Sequence, residues 1–337
     1  RLEVFSYNYS EIALNELPIV SYGAWSKEIS VRHICASGGV GFEIGRYLIG
    51  KGYKAIGVKY DVKRAKAEHY VASSVDEFIL SMGSKYIQSY TLSGFKEINR
   101  KDKFLVSGTP CQIDSLRRYI NKMKCQENFV LLDFFCHGVP SKFVWDKYIK
   151  EQQDKLGNID FVSWRNKQNG WHDSWAMTIS PLDRGEVVDW YDSYNLLIKE
   201  KKGCVNSRWT QGDTFYNMFL GNNCLGKACY KYCKFKYDHS SADIRIGDMW
   251  GETYAKEDKG VTACVAFTQQ GMDVLNNVNC ELVEYPFARV AEGQIKTKIK
   301  YPMGWSFVIF FAKLQSVSMK QLVFFSRIIG KFNKIFK

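Results

Sequence analysis

The 337-residue sequence contains no run of about 20 apolar residues, the length needed to cross a bilayer as a helix. No signal-peptide pattern opens it, no internal repeat runs through it, and no nucleic-acid recognition motif is found. Acidic residues are in deficit: 35 Asp and Glu against 47 Lys and Arg leave a net charge of +12. The lysines are spread along the chain, so nucleic acid is not expected as a partner. The basic balance suits an anionic substrate, an acidic electron-transfer partner or an anionic membrane surface, and plain solubility explains it as well. Ten cysteines are too few for a disulfide scaffold. They are expected as reduced thiols in a cytoplasmic setting, where clustered Cys signals metal or redox chemistry.

The length suits one large α/β domain or two lobes. Hydrophobic residues at 46% and charged residues at 24% are ordinary for a globular chain. Aromatics reach 15%, which the walls of a cofactor site and a plain core explain equally well. Residues 1–30 read as a lead-in without clear periodicity. From Cys35 the pattern becomes a Gly-rich turn, a helix and then the strand KAIGVKYD. KFLVSGTPCQIDSLRRYI (103–120) is a strand, a tight turn and a helix, and 128–152 repeats that order with Cys136 and His137 in the turn. Strands alternating with helices predict an α/β fold with a parallel or mixed sheet and flanking helices. Residues 158–215 read as a β-rich insert.

The tail, 304–337, is apolar and basic, and Lys313, Lys320 and Arg327 interrupt its apolar runs. It reads as a basic amphipathic helical tail. One account lays it on a membrane surface; the other packs it on the domain or on a partner.

Several groups carry chemistry. Ser37, Gly38 and Gly39 open a helix, where free backbone N–H groups suit a phosphate. Gly83, Ser84 and Lys85 offer a turn, a hydroxyl and a cation that suit a nucleotide phosphate, but taken alone they read first as a surface loop. Cys111 and Cys136 each sit in the turn after an apolar strand, and turns at strand carboxyl ends are where parallel sheets bind ligands. One such Cys alone would suit a nucleophile. Cys224, Cys229 and Cys233 form a third group, spaced C-x4-C-x3-C. Zinc completed by Cys111 and Cys136 is one account. A 4Fe-4S cluster accepts ligands scattered in sequence, and Cys111, Cys136, Cys229 and Cys233 make four, with Cys224 spare. Cys35, Cys125, Cys204, Cys264 and Cys280 read as small hydrophobes or surface thiols.

SGGV (37–40), GSKYIQS (83–89), SGTPCQI (107–113), CHGVPS (136–141), WRNKQNGW (164–171), CYKYCKFK (229–236) and DIRIGDMWG (243–251) stand in this order in the chain. In that order they resemble the coenzyme F420 hydrogenase/dehydrogenase beta-subunit family, from about Tyr22 to Gln270. The resemblance implies an iron–sulfur flavoprotein oxidoreductase that passes electrons between a 4Fe-4S cluster and a flavin, usually FAD, which exchanges hydride with an organic substrate. Bacterial members similar to this chain accompany surface-polysaccharide biosynthesis. Carried over by position, Ser37, Gly38 and Gly39 would meet the flavin, and Ser84, Lys85 and Tyr86 its phosphate or ring. Gly108, Thr109 and Pro110 would form the turn beside it, and Cys111, Cys136, Cys229 and Cys233 would ligate the cluster.

Two features depart from the family pattern. The usual Cys pair is C-x2-C, and here C-x3-C keeps Cys224 as an alternative to Cys229. Relatives also carry an N-terminal ferredoxin-like segment. Here 1–30 reads as the remnant after it or as a chain that uses a separate, acidic ferredoxin. The expected organisation is this lead-in, an oxidoreductase domain at 31–303 with its insert, and the tail at 304–337. The expected location is the cytoplasm, peripheral at the inner face of the membrane if the tail docks there. His137 reads as a neighbour tuning the cluster or as a helix-start residue, and His172 as a candidate proton donor. Asp243 and Asp248 read as strand-end structure. Competing functions are a zinc-stabilised structural subunit and a Cys-dependent transferase in glycan assembly, with Cys111 or Cys136 as nucleophile. No catalytic residue is assigned.

Overall fold

The computed structural model describes residues 15, 17–167, 169–181 and 205–335. Half of the lead-in (residues 1–14 and 16), the middle of the β-rich insert with Cys204, and the last two residues lie outside the described residues. The strands are β1 (Val20–Ser26), β2 (Lys54–Asp61), β3 (Lys66–Ala72), β4 (Ser89–Tyr90), β5 (Phe104–Ser107), β6 (Phe129–Phe134), β7 (Phe161–Ser163), β8 (Ala176–Ser180), β9 (Val205–Arg208), β10 (Ile244–Asp248), β11 (Thr262–Ala266) and β12 (Cys280–Glu284). Nine of them form one mixed sheet in the order β12–β1–β11–β10–β6–β5–β2–β3–β4. Its centre, β10–β6–β5–β2, is parallel. The flanks β1, β11 and β12 pair antiparallel with their neighbours, and β3 pairs antiparallel with β2 and parallel with β4. The remaining β7, β8 and β9 form a separate antiparallel sheet where the β-rich insert is expected. β1 lies inside the stretch read as lead-in, where its pattern is too short to stand out; its long-range pairing with β11 and β12 makes it a strand.

The central strands are apolar on both faces, as strands covered on both sides must be. Side chains alternate across the sheet. Leu105, Val130, Leu132 and Ile244 pack with Val40, Ile44 and Leu48 of helix α1 (Val40–Gly50). Phe104, Val106, Phe129 and Leu131 face the other way, against Ile113, Leu116 and Ile120 of helix α2 (Pro110–Met123). The start of α2 follows from its sequence: Pro110 occupies the first helical position, and the Gln112 carboxamide oxygen accepts from the Thr109 backbone N–H at 2.9 Å.

A third core joins α3 (Lys142–Leu156) and α4 (Thr214–Phe219) to the C-terminal helices α7 (Trp305–Lys313) and α8 (Met319–Ile335). Between them in the chain come α5 (Lys227–Lys231) and α6 (Gln269–Leu275). Val308, Ala312, Met319, Leu322 and Val323 are buried against Val144, Trp145, Tyr148 and Phe215. The inner face of the tail therefore packs on the domain. No helix among the described residues is long and apolar enough to cross a membrane.

His69 on β3 is fully buried, and its Nε2 lies 3.1 Å from the Ser107 carbonyl. Burial lowers its pKa from 6.5 to about 4. Between those values the unfolded chain binds the proton and the folded chain does not, so stability falls as pH drops from about 6.5 to about 4. The loss expected from this residue is about 2–3 kcal/mol. Denaturant unfolding at pH 7 and pH 4.5 checks it: a His69→Gln variant should show the smaller pH effect. An equal pH effect in both proteins would remove His69 as the cause.

Candidate functional site

A helix that feeds a parallel strand runs back along it, so the N-terminus of α1 lies at the edge where β5, β6 and β10 end. All four meet there around a cleft of about 420 Å³, within the ~300–1,000 Å³ usual for small-molecule sites. Gly39–Phe42 from α1, Ser107–Thr109 after β5, Phe134–Pro140 after β6 and Gly247–Asp248 at the end of β10 line it. The 81–87 loop closes one side, and Trp175, Phe219 and Trp250 add an aromatic wall. Tyr86 stacks on Trp175 with ring centroids 4.9 Å apart, and Phe219 meets Tyr86 at 5.3 Å.

Of the residues expected at a flavin, Ser37, Gly39, Ser84, Lys85, Tyr86, Gly108 and Thr109 line the cleft. Gly38 and Pro110 stand behind it and build its turns. A Cβ on Gly38 would lie 2.3 Å from the Ala24 carbonyl oxygen. Its N–H donates to Thr262 Oγ1 at 2.9 Å. Gly39 takes φ +89°, the left-handed conformation that lets the chain enter α1. Lys85 donates to the carbonyls of Leu80, Met82 and Gly83, so its ammonium staples the 80–83 turn. Burial lowers it to about 7.

The four thiols expected as ligands come from three elements. Cys111 is the second residue of α2, with its Sγ 3.2 Å from Thr109 Oγ1. Cys136 lies in the exit from β6, and Cys229 sits on α5 with Cys233 just beyond it. Backbone bonds from Ser141 N–H to the Cys224 carbonyl and from Gly226 N–H to the Val139 carbonyl tie the β6 exit to the segment before α5. The Val139 N–H also points at Cys229 Sγ, 3.5 Å away. Each of the six pairings among Cys111, Cys136, Cys229 and Cys233 interacts electrostatically. Burial, reinforced by the other thiols, raises Cys136 and Cys229, whereas Cys111 is exposed at the start of α2. Cys224 is outside this group: its thiol is fully buried, and burial raises it. Cys35, Cys125, Cys264 and Cys280 are buried free thiols.

Four participants carried no assigned role in the sequence. Arg165, fully buried, donates to Asp248 at 3.0 Å and to Tyr86 Oη at 3.1 Å, and lies 4.6 Å above Trp175. Trp171 Nε1 donates to the same Asp248 at 2.7 Å and stacks on Trp250 at 4.7 Å. Lys167 donates to the Arg32, Ser37 and Lys259 carbonyls, and burial lowers it to about 7. Lys236 is 6% exposed and donates to the Cys136 and His137 carbonyls. Their only sequence signal was membership in WRNKQNGW and CYKYCKFK. Asp243 is strand structure as read, held by Arg117, Thr268 and the Leu131 N–H. Asp248 is more than that, because it faces the cleft. His137 lines the cleft and pairs with Asn222 at 2.7 Å. His172 is exposed, turned to the Tyr254 carbonyl and absent from the cleft lining.

A family model for the coenzyme F420 hydrogenase/dehydrogenase beta subunit, C terminus, matches residues 101–285, more than half of the chain. The chain belongs to that family. Beta-subunit membership makes it an oxidoreductase-related chain of the hydrogenase/dehydrogenase type. Thirteen chains of solved structures match it. One comes from the F420-reducing NiFe hydrogenase complex of Methanosarcina barkeri, studied by xenon derivatization. It aligns at 15% identity with a TM-score of 0.50, covering 96% of this chain and 94% of that chain. At that identity the likeness is one of fold. No curated protein matches the chain.

Proposed function

We propose that this beta-subunit-family chain is an iron–sulfur flavoprotein oxidoreductase acting on a small organic substrate. The observation that carries the reading is the convergence of Cys111, Cys136, Cys229 and Cys233 beside the 420 Å³ cleft. When bound, a 4Fe-4S cluster supplies one-electron transfer and FAD supplies hydride exchange. The residues present suit both groups. Among the described residues no set of three His, Cys, Asp or Glu side chains is arranged to hold a metal ion. Lys236 adds support: it is a buried cation with carbonyl partners and no carboxylate ion pair among the described residues. A buried charge of that kind calls for an anion, and cluster-bound thiolates supply one. On the flavin side, the start of α1 lines the cleft at Gly39, Val40 and Gly41, and the first amides of a helix are open to a phosphate. Tyr86, Trp175 and Trp250 offer surfaces for a planar ring.

The transferase reading fits less well. A catalytic thiol is activated by a lowered pKa, whereas burial raises Cys136. We infer that residues 31–303, completed by β1 (Val20–Ser26) from the stretch read as lead-in, carry the redox function with the β-rich insert at about 158–215, that 304–337 form its helical tail, and that the setting is cytoplasmic. The net charge of +12 supports an acidic ferredoxin as the electron donor. A place in surface-polysaccharide biosynthesis rests on the family resemblance alone.

The test is an ultraviolet–visible spectrum of anaerobically purified protein with iron, sulfide and flavin assays. Flavin bands over a broad, reducible shoulder are expected. A colourless, zinc-containing protein would sink the reading.

A further inference from the structure

The C-terminal helices are apolar on two faces. One face of α7 and α8 is buried in the third core. The opposite face carries Phe307, Phe310 and Phe324, which are 63%, 57% and 60% exposed. Phe307 and Phe310 are three apart and so share a face of α7. Ring contacts join the two helices: Phe310 to Phe311 at 5.6 Å, Phe311 to Phe325 at 5.0 Å and Phe325 to Phe324 at 6.1 Å. Phe143 extends the patch, with Lys313 Nζ 4.8 Å above its ring. A helix apolar all round is normally covered, and a contiguous exposed apolar patch marks an interaction surface.

Charge identifies what covers it. After Glu292 the sequence contains no Asp or Glu, while Lys296, Lys298, Lys300, Lys313, Lys320, Arg327, Lys331, Lys334 and Lys337 contribute nine positive charges. Lys313 and Lys320 are exposed beside the phenylalanines, and neither has an ion-pair partner among the described residues. A second copy of the chain would bring these acid-free segments together and is opposed by like charge. Exposed aromatics within a cationic, acid-free surface match the interface of an anionic bilayer, where the rings enter the headgroup boundary and the lysines meet lipid phosphates.

We propose that the outer face of the two C-terminal helices docks the protein on an anionic membrane surface through Phe307, Phe310 and Phe324, with Lys313 and Lys320 at the lipid headgroups. This is independent of the redox reading, since none of these residues lines the cleft.

Sedimentation of the full chain with vesicles is the test. Wild type is expected to bind phosphatidylcholine vesicles containing phosphatidylglycerol, to bind pure phosphatidylcholine weakly, and to be released by salt. Combined Phe307→Ser, Phe310→Ser and Phe324→Ser substitutions should weaken binding by at least roughly 100-fold. Lys313→Glu with Lys320→Glu, which leaves all buried residues in place, should weaken it by at least roughly 30-fold. Failure of wild type to bind the anionic vesicles would overturn the proposal. So would equal binding to both vesicle types, or self-association that the Phe→Ser substitutions abolish while vesicle binding is unchanged.

Discussion

Replacing any one of Cys111, Cys136, Cys229 or Cys233 by serine is expected to strip most of the iron and labile sulfide from anaerobically isolated protein, while Cys224→Ser keeps both. The distinction is one of position. The four thiols lie in mutual electrostatic reach. Cys224 instead turns into the third core, fully buried beside Leu225 and Tyr230. Its own effect should be confined to packing. Loss of a direct ligand should exceed the ~10–100-fold fall in metal affinity typical of an outer-shell partner. Iron and sulfide content separate these outcomes without reference to activity, and circular dichroism reports whether each variant folds. Retention of iron by Cys229→Ser together with its loss from Cys224→Ser would move the ligand from α5 to the turn before it.

Asp248→Asn is expected to cost about 3–5 kcal/mol of stability and to release the flavin. Arg165 is fully buried, and its carboxylate partner in the structure is Asp248. The asparagine leaves that guanidinium charged with no counterion, and an unpaired buried charge is far more costly than an intact pair is stabilising. The damage should spread to the site because the same guanidinium holds Tyr86 Oη and the Ala36 carbonyl, and the same carboxylate holds the Trp171 indole. Tyr86 belongs to the cleft wall, and Trp171 backs Trp250 there. Asp248→Glu should restore part of both losses, since it keeps the charge. Denaturant unfolding of cofactor-free protein measures the stability change, and flavin titration measures the binding change. A variant with wild-type stability and wild-type flavin affinity would show that the ion pair supports neither.

The two arguments differ in how far the sequence anticipates them. The strand–turn–helix order around Cys111 and Cys136 was legible because it is local: an apolar run, a Gly/Pro turn and a 3.6-residue period lie within about twenty residues. The central parallel strands follow from it. The Arg165–Asp248 pair was not legible. Its members are 83 residues apart, and nothing local distinguishes a buried arginine from a solvated one. Trp175, Phe219 and Lys236 escaped for the same reason, since a wall is a property of convergence. Cys224 and Cys229 were alternatives in sequence because both lie in one short Cys-rich run.

By itself, then, the sequence determined the α/β class, the turns at the strand ends, the helical character of the tail and a shortlist of five thiols, because each depends on residue type and short-range spacing. Tertiary structure alone decided which side chains wall the cleft, how β1 enters the sheet and which face of the tail is buried. Those outcomes depend on strand order and helix packing, which bring together residues a hundred positions apart and which no local pattern encodes.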